Sequence, residues 1–202
     1  MDETKNFIIS EAEKLFMKYG IRSVTMDDIA KSLGISKKTI YLNFRDKNEL
    51  VTELFKGFLI GDECQLQNCT LLSTNAIDEV FQITQHLKEK LSGINPIVFY
   101  DLEKYHNKTY QAIENYKEKF LYNKIITNLE RGITEGYYRE NIEKNIIAKT
   151  RIQQLNWVFE SASQSHYGLY ELLIETTYLY LFGISTPKGW DLINRNKNIE
   201  KQ

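Results

Sequence analysis

Residues Met26–Arg45 read MDDIAKSLGISKKTIYLNFR, and the fold is decided there. Counting from Met26, the small residue Ala30 stands fifth, Gly34 ninth and the β-branched Ile40 fifteenth. Each position has a steric reason. Ala30 lets two helices approach closely, and Gly34 supplies a left-handed turn without the penalty of a Cβ atom. Ile40 locks the second helix against the first at a steep angle. These are the requirements of a helix-turn-helix, whose second helix lies in the major groove of DNA. A plain corner in a helical bundle would explain Gly34 and the apolar stripe Ile29, Ala30 and Leu33. It would not explain an opposite face of Ser36, Lys37, Lys38, Thr39, Tyr41 and Asn43, rich in donors and free of acids.

Working outward, Thr25 and Asp28 form a capping-box pair at the start of the first of these helices. Ser36 caps the second, with Ile40 and Phe44 facing inward. Asp46 and Glu49 form another pair and open a fourth helix through Leu50, Leu54, Phe55 and Phe58. Upstream, Phe7, Ile8, Ala12, Leu15, Phe16 and Tyr19 recur at helical spacing between Thr4 and Tyr19, and Gly20 ends that run. Downstream, further helices are expected over about residues 77–91, 96–105, 110–135, 144–162 and 169–182. No segment sustains the period-two alternation of a strand, so the fold class is all-α, with about nine helices. The Asn/Lys-rich tail after Trp190 is expected to be loosely ordered. The division expected is a three-helix DNA-binding domain over 1–50, carrying the motif at 26–45, and a larger helical domain over 51–202.

The balance of residues narrows the function. A formal net charge of −1 argues against a protein that coats nucleic acid indiscriminately. Between Arg22 and Lys47, however, six basic residues (Arg22, Lys31, Lys37, Lys38, Arg45, Lys47) face three acids (Asp27, Asp28, Asp46), which leaves a charge of −4 on the rest. A basic segment on an acidic body suits oriented docking onto phosphate. The polar, acidic opening Met1–Asn6 is unlike a signal peptide. No apolar run approaches the roughly 18 residues that cross a bilayer, so a cytoplasmic protein without membrane partners is expected. Cys64 and Cys69, five residues apart on a helix, point in different directions and are not expected to pair. His86, His106 and His166 lack metal-ligand spacing. No nucleophile–histidine arrangement or phosphate-binding glycine loop points to an enzyme or a cofactor.

Val24 to Leu50, VTMDDIAKSLGISKKTIYLNFRDKNEL, preceded by an amphipathic helix, resembles the amino-terminal domain of TetR-like transcriptional regulators. The spacing Tyr41-x-x-Phe44-x-x-Lys47-x-x-Leu50 is especially specific to that family. The likeness covers about the first quarter of the chain, and Gly136-Tyr137-Tyr138-Arg139 before a further helix also resembles many members. The resemblance implies roles. Thr25 and Lys47 would grip phosphate beside helix amino termini, and Thr39, Tyr41 and Asn43 would touch the backbone. Lys37 and Lys38 would reach base edges, where a lysine donates to guanine O6 and N7. The lysine at position 38 departs from the small residue commoner there.

The resemblance further implies a homodimeric repressor released from a palindromic operator by a lipophilic or aromatic small molecule, with the larger domain binding the effector and dimerising. The alternative is a DNA-binding protein of the same fold without a small ligand, controlled by a protein partner. Twenty of the 25 aromatic residues follow position 50. Phe81, Phe99, Tyr100, Tyr105, Phe120, Tyr122 and Trp157 are the candidate walls of an effector pocket, although aromatic side chains suit a helical core equally well. The apolar stripes of the last two helices could pair with their copies in a dimer or pack within the chain.

Overall fold

The computed structural model describes residues 3–91, 93–161 and 166–199. The helices among them are α1 (Glu3–Tyr19), α2 (Met26–Leu33), α3 (Lys37–Asn43), α4 (Lys47–Leu72), α5 (Ala76–Leu91), α6 (Ile97–Tyr105), α7 (Asn107–Tyr116), α8 (Tyr122–Thr134), α9 (Lys144–Ser161), α10 (Leu169–Ile184) and α11 (Pro187–Ile199). The only sheet-like pairing among the described residues is an isolated antiparallel bridge between Tyr138 and Ser185. Ala162, expected to end α9, lies outside the described residues.

The helices gather into two compact units. The first comprises residues 1–62 and 93–115, so α6 and α7 join the helix-turn-helix rather than the remainder of the chain. Its core is contiguous. Ile8, Ala12 and Phe16 of α1, Ile29 and Ala30 of α2, Ile40 of α3, Leu50, Val51, Leu54 and Phe55 of α4, and Val98 and Leu102 of α6 are all buried. Gly20, at φ +85°, turns the chain out of α1. A Cβ there would lie 2.6 Å from Ile97 Cγ2, so close approach to α6 and backbone geometry both require glycine. These units differ from a division at residue 50. Sequence periodicity finds helices but not which core they join.

The second unit comprises residues 63–92 and 116–202. Its core holds Ala76 and Ile77 of α5, Leu129 of α8, Tyr138, and Tyr178, Tyr180, Leu181 and Ile184 of α10. The Tyr138 ring lies flat against Gly132, where any Cβ would collide with it. Its hydroxyl donates to Ala76 O or Asn128 Oδ1, each 3.2 Å away. Glu79, 2% exposed, is fully engaged: Thr70 Oγ1 (2.6 Å), Asn128 Nδ2 (3.0 Å) and Arg131 Nη1 (3.3 Å) donate to it. A buried carboxylate is tolerable only with such partners.

Three elements depart from the periodicity of the sequence. The single helix expected over 110–135 is α7 and α8 joined by one π-helical stretch, Lys117–Leu121, and it begins three residues earlier. The fourth helix continues to Leu72, far beyond Phe58. The tail after Trp190 belongs to α11 as far as Ile199, and the rest of it lies outside the described residues. Pro187 suits the first helical position, Ile193 is fully buried, and Trp190 Nε1 donates to Phe182 O at 3.1 Å. Ile193, the partly buried Leu192 and the indole hydrogen bond hold a segment whose Asn/Lys composition conceals them.

Candidate nucleic-acid interface

The turn between α2 and α3 is built as its residues require. Gly34 adopts φ +65° and ψ +25°, and the next amide, of Ile35, donates back to Ala30 O at 3.0 Å. That six-to-one bond closes α2 and fixes the direction in which the chain leaves it. Ser36, extended at φ −74°, then accepts Thr39 N at 3.1 Å and restarts the helix. Ile40 and Phe44 are completely buried, which holds α3 by one face and leaves the other outward.

On that outward face Ser36, Lys37, Lys38 and Tyr41 are exposed, whereas Thr39 and Asn43 are half-buried. The hydroxyls of Ser36 and Thr39 lie 2.9 Å apart, and Asn43 Nδ2 donates to Thr39 O at 2.8 Å, so these groups are already engaged along the helix. Lys37 is paired with Asp27 of α2. Among the described residues Lys38 has no polar partner. Leu42, not singled out above, is 76% exposed beside it. The signal was available. Ile40 and Phe44 fix the inward phase of α3, which turns Leu42 out, and an exposed leucine there suits contact with a thymine methyl.

The flanking helix starts carry their own carboxylates. Thr25 N and Oγ1 both donate to Asp28 Oδ2 (2.9 and 2.6 Å), and Asp28 N returns a bond to Thr25 Oγ1. The Thr25 hydroxyl bond, with its amide, holds the Asp28 carboxyl below its ordinary pKa. At α4, Asp46 Oδ1 accepts Glu49 N at 2.9 Å. Glu49 Oε2 reaches Arg45 N at 2.7 Å rather than the Asp46 amide, one residue off the expected box.

Lys47 opens α4 half-buried. Its Nζ points at Arg22 O, 3.4 Å away, and lies 5.7 Å from the Phe16 ring. Burial lowers its pKa, against the favourable charges of Asp101 and Asp28. Arg22 completes this corner. Its amide donates to buried Asp101 Oδ2 at 2.8 Å and its guanidinium to Tyr105 Oη at 2.7 Å.

The seven aromatic candidates are divided between the units. Phe99, Tyr100 and Tyr105 belong to the first, on α6. Phe81, Phe120, Tyr122 and Trp157 belong to the second. Tyr100, Tyr105 and Trp157 are exposed. In the second unit, Phe81 packs 5.8 Å from Tyr178, Phe120 stacks on Tyr116 at 5.3 Å, and Tyr122 Oη donates to Asn145 Oδ1 at 2.7 Å.

Residues 8–54 match the family model for bacterial regulatory proteins of the tetR family. Among curated relatives, the HTH-type transcriptional repressor KstR2 of Mycobacterium tuberculosis is 23% identical over 168 residues, which cover 75% of this chain and 76% of that protein. The fold is similar to the solved ketosteroid transcriptional regulator KstR2 of M. tuberculosis, with a TM-score of 0.62, 19% identity, and 92% of this chain and 97% of that one covered. It is similar also to the fatty acid degradation regulator FadR of Bacillus halodurans, with a TM-score of 0.68, 18% identity, and 90% and 96% covered. No helix among the described residues is long and apolar enough to cross a membrane.

Proposed function

We propose that the chain is a DNA-binding transcriptional regulator of the TetR-like family that acts in the cytoplasm as a homodimeric repressor, released from a palindromic operator by a small, largely apolar effector. The observation that carries the DNA-reading half is α3 itself: a helix anchored by buried Ile40 and Phe44 that presents Lys38, Tyr41 and Leu42 outward. In this reading Lys38 and Lys37 address base edges, Lys37 after leaving Asp27. Thr25, Ser36, Thr39, Tyr41, Asn43 and Lys47 position the helix on the backbone.

Dimerisation is supported by the second unit. Ile146 and Trp157 of α9, 63% and 51% exposed, and Leu179 of α10, 67% exposed, give that helix pair an outward apolar face. A second copy related by a two-fold axis would cover it, and paired half-sites require such symmetry.

The effector reading draws on the aromatic content of the second unit. Phe120 sits in the π-helical stretch, a local unwinding that often marks functional positions. With Phe81 and Tyr122 it forms the proposed effector wall. The relatives described as ketosteroid and fatty acid degradation regulators are consistent with a lipophilic class. α4 runs unbroken across the boundary of the units from Lys47 and gives a path for coupling. An effector weakens repression only if it prefers the conformation whose two α3 helices mismatch the half-sites. The expected release is about 5- to 150-fold in DNA affinity, the usual range of allosteric coupling. The test is to screen uncharged lipophilic and aromatic compounds for thermal stabilisation and then measure operator release by each hit. Compounds that stabilise the protein but leave DNA affinity unchanged would remove the switch. A screen with no stabilising compound would favour control by a protein partner.

A further inference from the structure

The unit that contains the helix-turn-helix carries a second exposed group of cations, and it is built on tyrosines. Arg22 Nη1 donates to Tyr105 Oη, and the guanidinium carbon lies 4.9 Å from that ring centre. On α6, Lys104 Nζ donates to Tyr100 Oη at 2.6 Å and lies 5.1 and 5.6 Å from the rings of Tyr100 and Tyr105. The two rings meet edge to face at 6.4 Å. Cation–π contacts of this kind hold long, flexible side chains in one place. Both rings remain open to solvent, 46% and 38% exposed.

No carboxylate among the described residues pairs with the side chain of Arg22 or Lys104. Asp101, the acid closest in the network, is buried and accepts the Arg22 backbone amide instead. The hydrogen bond to Tyr100 raises the Lys104 pKa and keeps the amine charged. Two fixed cations without acidic partners create a local demand for an anion. Their position says which one. Arg22 stands three residues before Thr25, and its carbonyl oxygen lies 3.4 Å from Lys47 Nζ. The group therefore adjoins Lys47 at the start of α4, and Arg22 precedes the Thr25 cap of α2 by three residues.

We propose that Arg22 and Lys104, held by Tyr105 and Tyr100, form a second phosphate-binding station, which grips the duplex backbone flanking the base pairs that α3 reads. Tyr100 and Tyr105 then serve as platforms for cations rather than as walls for an apolar effector. The inference rests on DNA binding but not on the identity of any effector. Phosphate contacts add affinity and register without adding base preference.

The experiment uses the intact protein and a duplex selected from a random pool, in two lengths: trimmed to the selected site, and extended by about one helical turn (~10 bp) on each side. Arg22→Gln/Lys104→Gln should weaken the extended duplex clearly more than the trimmed one, on which Arg22 adds only its share of the segment's long-range attraction. On the extended duplex the slope of log affinity against log salt should fall by about 1.8 per protomer, at about 0.9 per phosphate. Lys104→Gln alone changes only an exposed side chain and should give half that fall, so the test survives if the double variant folds poorly. Base preference should not move. Wild-type binding to the trimmed duplex shows that the helix-turn-helix still reads DNA, whatever happens at the flank. Equal salt slopes for variant and wild type on the extended duplex would overturn the proposal. Equal losses on both duplexes would do so too, because the group would then only brace the helix-turn-helix.

Discussion

His106 closes α6 as a buried imidazole, and its Nδ1 has no hydrogen-bond partner among the described residues. Burial lowers its pKa from the ordinary 6.5. The Lys47 ammonium acts in the same direction, while the Asp101 carboxylate opposes both. The unfolded chain binds a proton at His106 more readily than the folded chain does, so acid favours unfolding. The contribution of His106 to stability is complete above pH 6.5 and declines as the pH falls from there towards the folded value; below that value there is no further loss. Melting temperatures measured between pH 7.5 and 5 should fall for the wild type, and more shallowly for His106→Gln. The carboxyls of Glu11, Asp28 and Asp46 are held low by their hydrogen bonds, and their losses come at more acidic pH. An identical slope in the His106 variant would contradict a neutral buried imidazole.

At the scale of elements, α3 and the start of α4 should separate base reading from backbone grip. Lys47→Met keeps an apolar stem against Phe16 but removes the charge, so it should weaken binding to every sequence alike and lower the salt slope by about one per protomer. Lys38→Ala should relax preference at one base position by about 1–3 kcal/mol. Binding to a panel of substituted operators checks both. Altered base preference in the Lys47 variant, with none in the Lys38 variant, would reverse the assignment. These elements were legible in the sequence because steric needs write themselves in single letters: Gly34 at a positive φ, Ser36 and Thr25 as caps, Ile40 and Phe44 as the inward phase. The ends of α4 and α7 were less legible. A helix that changes neighbours along its length loses a single apolar stripe, and a π-helical stretch such as Lys117–Leu121 shifts the helical phase. α11 is hidden in the sequence because, among its described residues, only adjacent Leu192 and Ile193 pack against the core in a run of polar residues.

For the whole molecule, the charge pattern and the exposed faces make one functional argument. A net charge of −1 limits unspecific adhesion to DNA, while the surplus of positive charge between Arg22 and Lys47 orients the helix-turn-helix towards it. The Arg22–Tyr105 contact spans 83 positions of sequence, so no local pattern could reveal that α6 brings Tyr105 to Arg22. The same distance in sequence hides from composition the contact of Tyr105 with Arg22. Local chemistry sets the caps and inward phase of α3, and long-range packing sets which aromatic side chain meets Arg22. The most direct measurement is selection of duplexes from a random pool by the intact protein near 0.15 M salt, with the protomers per bound duplex counted by light scattering. The account predicts enrichment of a palindrome whose half-sites lie about one helical turn (~10 bp), or a multiple of it, apart, bound by protomers in pairs. Recovery of no enriched sequence, or of a single half-site bound by one protomer, would contradict it.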